Sequence, residues 1–186
     1  MEHLNDETLA RAAQGGDTEA FGALVERYQA KMMRYARRFM RTPEDAEDAV
    51  QEVFLKAFEN LQSFDSERRF SPWIYRIAHN TFINALKKKG KDPLPFFDPD
   101  TLFPHPIAAE RPDREHDARE LKEAFEKEFE RLPATYREPL YLYYYEALSY
   151  KEIADVLKIP LSTVGVRIMR GKESLLKMNP HLGDLV

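Results

Sequence analysis

Six of the twelve prolines in this 186-residue chain fall in one short stretch, from Lys91 to Pro112. Proline has no backbone N–H and disfavours a helical conformation in the residue before it, so neither helix nor sheet is expected there. On both sides of the stretch, apolar residues recur every three to four positions, which is the spacing of helices. We therefore predict an all-α protein with two small helical domains, at 1–90 and 113–186, joined by an extended proline-rich linker at 91–112.

Several classes of protein are disfavoured by what the sequence lacks. It has no cysteine, which excludes disulfides, thiolate metal sites and a catalytic thiol. Its five histidines are scattered without metal-ligand spacing, and it has no glycine-rich phosphate loop. No apolar run approaches the ~20 residues of a membrane span, and the acidic, polar start is unlike a signal peptide. We expect a cytoplasmic protein with no enzymatic activity, catalytic residue, cofactor, metal or membrane insertion.

The net charge of −4 is the sum over regions of opposite sign. From Arg68 to Lys91 the chain has seven basic residues and no acidic one, and from Lys151 to Met178 it has six basic residues and three acidic ones. The predicted helix at 43–61 is acidic instead. Two basic islands in an acidic chain indicate two contacts with a polyanion and a separate surface for another partner.

The first half is predicted to form four helices, at 4–14, 17–39, 43–61 and 71–89. The fourth combines aromatic rings with polar and basic groups, a composition suited to single-stranded nucleic acid because bases stack on rings and phosphates meet cations. Its positions Arg76, Asn80, Ile83 and Lys87 share one helical face. We expect Trp73 to belong to the core.

The second half is predicted to contain helices at 118–131, 133–145, 149–157 and 162–178. Ser149 and Glu152 have the spacing of a capping box, and a three-residue turn at Lys158 leads into a basic helix, so the last two helices predict a helix-turn-helix. The inward residues are expected to be Ile153, Ala154, Leu157, Val164, Ile168 and Leu175. The exposed face of the last helix is expected to present Thr163, Val166, Arg167 and Arg170 to DNA. A helical hairpin used only for packing is the alternative.

Three segments, in chain order, resemble the extracytoplasmic-function group of bacterial RNA polymerase sigma factors. Residues 45–54 (DAEDAVQEVF) resemble the family helix that docks on the polymerase clamp. Residues 70–80 (FSPWIYRIAHN) resemble the helix that reads and opens the minus-ten promoter element. Residues 148–154 (LSYKEIA) and 159–164 (IPLSTV) resemble the helix-turn-helix that reads the minus-thirty-five element.

This resemblance implies a role for each segment. Docking on polymerase would involve Asp48, Gln51, Glu52 and Phe54. Contacts with minus-ten DNA would involve Phe64, Arg69, Trp73, Tyr75, Arg76, His79, Asn80 and Lys87. Contacts with minus-thirty-five DNA would involve Ser162, Thr163, Val166, Arg167, Arg170 and Lys172.

The resemblance also implies how these parts act together. The loop from Gln62 to Arg69 and Asn80 would capture a base flipped out of the non-template strand. The linker would thread the polymerase cleft, and the second domain would contact both upstream duplex DNA and the polymerase flap. Polymerase would carry out all bond chemistry. An anti-sigma factor would cover the polymerase-binding faces until a signal releases it.

One position departs from the family pattern. A lysine or arginine commonly follows the Thr-Val of the recognition helix, whereas this chain has Gly165. Two other classes of protein remain possible from the residues alone. A stand-alone helix-turn-helix regulator would not need the acidic helix or the helix of Trp73 and Asn80, and a helical protein-binding adaptor would not need the basic stretch from Arg68 to Lys91.

Overall fold

The computed structural model describes residues 4–88, 128–129 and 131–180. These residues include seven α-helices with defined bounds and one 3-10 turn; residues 128, 129 and 131 are also helical, and none of the described residues is in a β-strand. The chain divides into two compact units, Met1–Pro93 and Leu94–Val186. The predicted all-α class with two domains is confirmed. The segment predicted to be a linker, 91–112, and most of the helix predicted at 118–131 lie outside the described residues, so the finer domain boundaries stay a prediction.

The first unit contains four helices, and capping side chains are clear at the starts of the second and the third. The Asp17 carboxylate accepts hydrogen bonds from the backbone N–H groups of Glu19 and Ala20, and the Thr42 hydroxyl accepts one from Asp45 at 3.2 Å. A 3-10 turn, Leu61–Ser63, connects the third helix to the loop before the fourth. The helices are α1 (Asp6–Gln14), α2 (Thr18–Ala36), α3 (Pro43–Asn60) and α4 (Phe70–Lys88).

Aromatic side chains form much of the core of the first unit. The Tyr35 ring centroid lies 5.2 Å from that of Tyr75 and 5.5 Å from that of Phe82, which joins α2 to α4. All three side chains are fully buried. Such ring pairs add to the free energy gained from burying their large apolar surfaces. The packing therefore holds α4 in a fixed orientation, with one face directed away from the core.

The second unit has three further helices in its described part: α5 (Ala134–Tyr144), α6 (Tyr150–Leu157) and α7 (Leu161–Met178). The helices α5 and α7 cross closely at Gly171. A Cβ atom added at Gly171 would collide with Leu140 Cδ1 and would lie 3.2 Å from Tyr136 Cβ. A larger residue at this position would therefore force the Leu140 side chain to shift. No helix in the described parts of either unit has the length and apolar character needed to cross a membrane.

Candidate nucleic-acid interface

The helix α4 has one exposed, polar and basic face. Arg76 and Lys87 are exposed, while Asn80 and Ile83 between them are partly exposed. The predicted shared face is therefore present, and it includes the basic residues near the helix C-terminus. The Asn80 amide can offer two donors and one acceptor to a ligand on this face.

Four residues predicted to contact minus-ten DNA are buried instead: Phe64, Trp73, Tyr75 and His79. Trp73 was expected in the core, and the roles of the other three in binding minus-ten DNA stay a prediction. The Tyr75 ring packs on Tyr35, and the Phe64 ring centroid lies 5.2 Å from that of Trp73. A ring enclosed in this way has no free face for a base, so these side chains hold the exposed face in place.

The loop between α3 and α4 lies beside the aromatic cluster of Phe64, Phe70 and Trp73. The ring centroids of Phe64 and Phe70 are 5.4 Å apart, and both rings are buried. Beyond Phe64, the Asp65 carboxylate accepts a hydrogen bond from the Glu67 N–H at 3.1 Å, which closes a tight turn. Gln62 and the charged residues from Asp65 to Arg69 are exposed, so the loop is anchored at Phe64 and presents polar groups to solvent.

The helix α3 also has an exposed face, and three of the predicted docking residues lie on it. Asp48, Gln51 and Glu52 are exposed, with the Glu52 carboxylate 3.0 Å from the Lys56 ammonium. The fourth, Phe54, is half-buried and lines a groove of about 760 Å³ between α2 and α3. The apolar side chains of this α2–α3 groove are Phe21, Val25, Met33, Val50, Phe54, Leu55 and Phe58.

The outer part of the α2–α3 groove was not predicted from the sequence. Leu55 is 61% exposed and Phe58 is 52% exposed, values that are high for large apolar side chains. An exposed apolar surface bordered by polar residues is typical of a protein interaction site. The sequence does contain a signal for this surface. Leu55 and Phe58 are apolar residues in addition to those that one buried face of the helix requires.

The helix-turn-helix of the second unit forms as predicted. The Ser149 backbone N–H donates to the Glu152 carboxylate at 2.7 Å, and the Glu152 N–H donates to the Ser149 hydroxyl at 3.3 Å, which completes the capping box. Lys158 adopts a left-handed conformation (φ 54°) and ends α6. Ile153 and Leu157 are buried as expected, but Val156 is buried in addition and Ala154 is only partly so.

The exposed face of α7 differs from the prediction. Ser162 is exposed and Arg170 is partly exposed, but Thr163, Val166 and Arg167 are buried, so their expected exposure is wrong. Thr163 and Arg167 precede Gly171 at four-residue intervals, and therefore share a helical stripe with the residue that packs on α5. Glycine, threonine and the arginine stem carry little hydrophobic signal, so the sequence pattern underestimates the width of the buried face.

Lys172, predicted to contact DNA, lies against tyrosine rings of its own unit. Its ammonium nitrogen is 5.4 Å from the ring centroid of Tyr144 and 5.7 Å from that of Tyr143, within the range of cation–π contacts. Burial raises the pKa of the Tyr144 phenol above its usual value, and the neighbouring Tyr143 adds to this effect. Lys172 therefore has a packing role in the structure, which the sequence analysis missed.

Comparison with known proteins identifies both units. The family model for Sigma-70 region 2 matches residues 24–92, and the model for Sigma-70, region 4 matches residues 122–175. The chain is 35% identical to the ECF RNA polymerase sigma factor SigW of Bacillus subtilis (strain 168), over 87% of this chain and 90% of the relative. It is 35% identical to the ECF RNA polymerase sigma-E factor of Escherichia coli (strain K12), over 94% of both.

A solved structure shows the same similarity. CnrH, in complex with the cytosolic domain of CnrY, superposes with a TM-score of 0.65 at 26% identity, over 95% of this chain and 97% of CnrH. Matches to two sigma-70 regions in the expected order define a sigma factor as the class. This chain belongs to the extracytoplasmic-function (ECF) group of RNA polymerase sigma factors.

Proposed function

We propose that this chain is a promoter-recognition subunit of RNA polymerase. It binds the core enzyme, recognises the minus-thirty-five and minus-ten promoter elements and promotes strand opening. The observation that carries this proposal is the exposed polar and basic face of α4, which lies beside an anchored polar loop in the unit that also bears the acidic α3 face. Polymerase carries out the bond chemistry, and the chain itself needs no cofactor.

The proposed minus-ten surface consists of the exposed groups of α4 and of the preceding loop. Arg76, Lys87 and Arg69 contact phosphates of the non-template strand. Asn80 and the loop of residues 62–69 together capture an unpaired base. Extruding a base costs a few kcal/mol, so the protein must bind the extruded form with comparable free energy. The buried cluster of Phe64 and Trp73 supports this surface by holding α4 and the loop together.

The proposed polymerase-docking surface combines the acidic face of α3 with the α2–α3 groove. Asp48 and Glu52 attract a basic partner surface and set the orientation of docking. Phe54, Leu55 and Phe58 offer apolar area whose burial stabilises the complex. This division of roles follows the usual arrangement of an apolar interface centre with a polar rim.

The second unit is proposed to bind upstream duplex DNA and the polymerase flap. In α7, Ser162 is exposed and Arg170 is partly exposed, so these two residues remain the proposed contacts with the minus-thirty-five element. Thr163, Val166 and Arg167 are largely buried and Lys172 lies against tyrosine rings, so their contacts with this element stay predictions. Phosphate contacts by Arg170 would position the helix without specifying a sequence.

We also propose that an anti-sigma factor regulates the chain by covering the polymerase-binding faces. The support is the similarity to CnrH, which is bound to the cytosolic domain of CnrY. The site of action is the cytoplasm, where polymerase and chromosome meet.

Reconstitution tests the proposed function and separates it from a stand-alone helix-turn-helix regulator. The full chain is added to core RNA polymerase, and transcripts are mapped from a library of promoter fragments. We expect initiation at a defined set of sequences only when both proteins are present. Tight duplex binding by the chain alone, without promoter-specific initiation by the mixture, would instead identify an ordinary DNA-binding regulator.

A further inference from the structure

The N-terminal helix α1 is hydrogen-bonded to the segment that connects α3 and α4. The Gln14 side-chain amide donates to the carbonyl oxygen of Leu61 at 2.9 Å and to that of Phe64 at 2.8 Å. In return, the Gln62 side-chain amide donates to the Gln14 carbonyl oxygen at 2.9 Å. The partly buried Gln14 side chain thus bridges two carbonyl groups at the base of the loop of residues 62–69.

Arg11, one helical turn before Gln14, makes two further contacts with the same loop. Its guanidinium donates to the Ser66 hydroxyl at 3.2 Å and to the Glu67 carboxylate at 3.0 Å. Both charged side chains are well exposed, so this ion pair contributes little free energy by itself. Its position extends the contact between α1 and the loop from the base of the loop to its middle.

The helix α1 is itself firmly attached to the core. Leu9, Ala10 and Ala13 are buried. The Asp6 carboxylate lies 2.8 Å from the Arg27 guanidinium and accepts a hydrogen bond of 2.6 Å from the Tyr28 hydroxyl. Burial raises the pKa of the Tyr28 phenol, and the hydrogen bond to Asp6 raises it further. A rigid helix therefore supplies the groups that hold the loop.

The loop is consequently held on two sides. Gln14 binds its base from α1, while the Phe64 side chain packs on Phe70 and Trp73 of α4. Fixing the backbone of a loop residue costs conformational entropy, so a loop that is ordered beforehand binds its ligand more tightly. The charged groups from Asp65 to Arg69 remain exposed.

We propose that Gln14, assisted by Arg11, is a positioning residue that orders the loop of residues 62–69 for capture of an extruded promoter base. This inference rests on the proposed function and deepens it. Gln14 makes no contact with DNA itself. Its effect passes through the Leu61 and Phe64 carbonyl groups, so loss of its donor should weaken recognition of one base rather than binding to DNA in general.

The test variant is Gln14→Glu, which is nearly the same size but presents a carboxylate to two carbonyl oxygens and cannot donate to them. Thr8→Glu is the matched control because it adds the same charge to an exposed position of α1. Gln14→Lys keeps a donor at similar reach and should retain most of the parent's behaviour. Because Gln14→Glu could destabilise the unit, Arg11→Ala, an exposed position on the same helix, serves as a second variant.

Holoenzyme is assembled from core polymerase and each full-length variant, and its affinity is measured for a single-stranded non-template oligonucleotide spanning the minus-ten element. The oligonucleotide is then remade with one abasic position at a time. We expect Gln14→Glu to bind the intact strand about fivefold or more weakly than the parent, and Thr8→Glu to match the parent. At one abasic position the affinity of the parent holoenzyme should fall to that of the Gln14→Glu holoenzyme, so that the two affinities no longer differ. Arg11→Ala should show a smaller loss with the same base dependence.

Two results would overturn the proposal. One is a Gln14→Glu variant that binds the intact strand as well as the parent. The other is a loss that persists equally at every abasic position, because that pattern indicates a general structural defect. If the parent depends on no base at all, base capture itself is wrong and the positioning role fails with it. A parent that depends on one base, together with unaffected variants, removes the role of Gln14 alone.

Discussion

The Glu7 carboxylate in α1 accepts a hydrogen bond of 2.9 Å from the backbone N–H of Phe70, the first residue of α4. The first N–H groups of a helix have no partner within the helix, and an acidic group there also interacts favourably with the helix dipole. A side chain 63 residues earlier in the chain therefore caps the helix that bears the proposed minus-ten surface.

Removal of this cap should destabilise the first unit. Glu7→Ala is expected to lower the free energy of unfolding by about 1 kcal/mol, the usual effect of losing a helix cap. Glu7→Gln keeps an acceptor and should cost less. Urea denaturation monitored by the fluorescence of Trp73, the single tryptophan, reports on this unit. Equal stability of Glu7→Ala and the parent would show that the hydrogen bond contributes nothing measurable.

Charge reversal on α3 should weaken docking on polymerase. Asp48→Arg combined with Glu52→Arg places two cations on the exposed face and also removes the partner of Lys56. The variant should compete at least about tenfold less well for core enzyme, since like charges across an interface are strongly unfavourable. Glu19→Arg combined with Glu26→Arg makes the same change in charge at exposed positions of α2. Normal competition by the α3 variant would show that this face does not contact polymerase.

The two arginines of α7 should respond differently to truncation. Arg170 is partly exposed, so Arg170→Ala should weaken upstream DNA binding and, if Arg170 contacts only phosphate, reduce the salt slope by about one. Arg167 is 8% exposed, so Arg167→Ala should act mainly by lowering the stability of the second unit. Salt-dependent binding of holoenzyme and thermal unfolding are measured for both variants. A DNA-binding defect in Arg167→Ala with unchanged stability would return Arg167 to the DNA interface.

Replacement of glycine by alanine should have opposite effects on stability at Gly171, where α5 and α7 cross closely, and at Gly22 in α2. Gly171→Ala would force its methyl group into Leu140, and overpacking of this kind typically costs about 1–3 kcal/mol. Gly22→Ala has no atom within 4 Å of the added Cβ and should stabilise α2 by up to about 1 kcal/mol. Calorimetry on the full chain measures both. An undiminished melting temperature for Gly171→Ala would mean that the two helices can move apart easily.

The sequence predicted the helical fold well because its signals are local. Two helix starts that the structure confirms are marked by short local patterns. One is Thr42 directly before Pro43, and the other is Ser149 with Glu152 three residues later. The prediction of where α2 ends is less accurate. The helix is predicted to reach Phe39 but ends at Ala36, and the next three residues form a tighter turn. Helix ends depend on the geometry of the last turn, which residue spacing does not specify.

The site was predicted only in part, because exposure and long-range contacts are not local properties. The shared face of Arg76, Asn80 and Lys87 follows from helical spacing. Whether the rings of Tyr75 and Phe64 face solvent or the core depends on helices that are distant in the chain, and both are buried. The contacts of Gln14 with Leu61 and Phe64 span 47 and 50 residues, so no local sequence pattern predicts them.

Promoter opening by a single variant tests the central claim most directly. A fluorescent base analogue is placed in the non-template minus-ten strand, and opening is followed with holoenzyme containing either the parent chain or Asn80→Ala. Loss of one base contact should cost on the order of 1–3 kcal/mol. We predict that Asn80→Ala binds polymerase and upstream duplex normally, opens the closed promoter poorly and initiates nearly normally on a template with a pre-opened minus-ten region. If Asn80→Ala opens the closed promoter as well as the parent does, the assignment of the α4 face to promoter opening is contradicted.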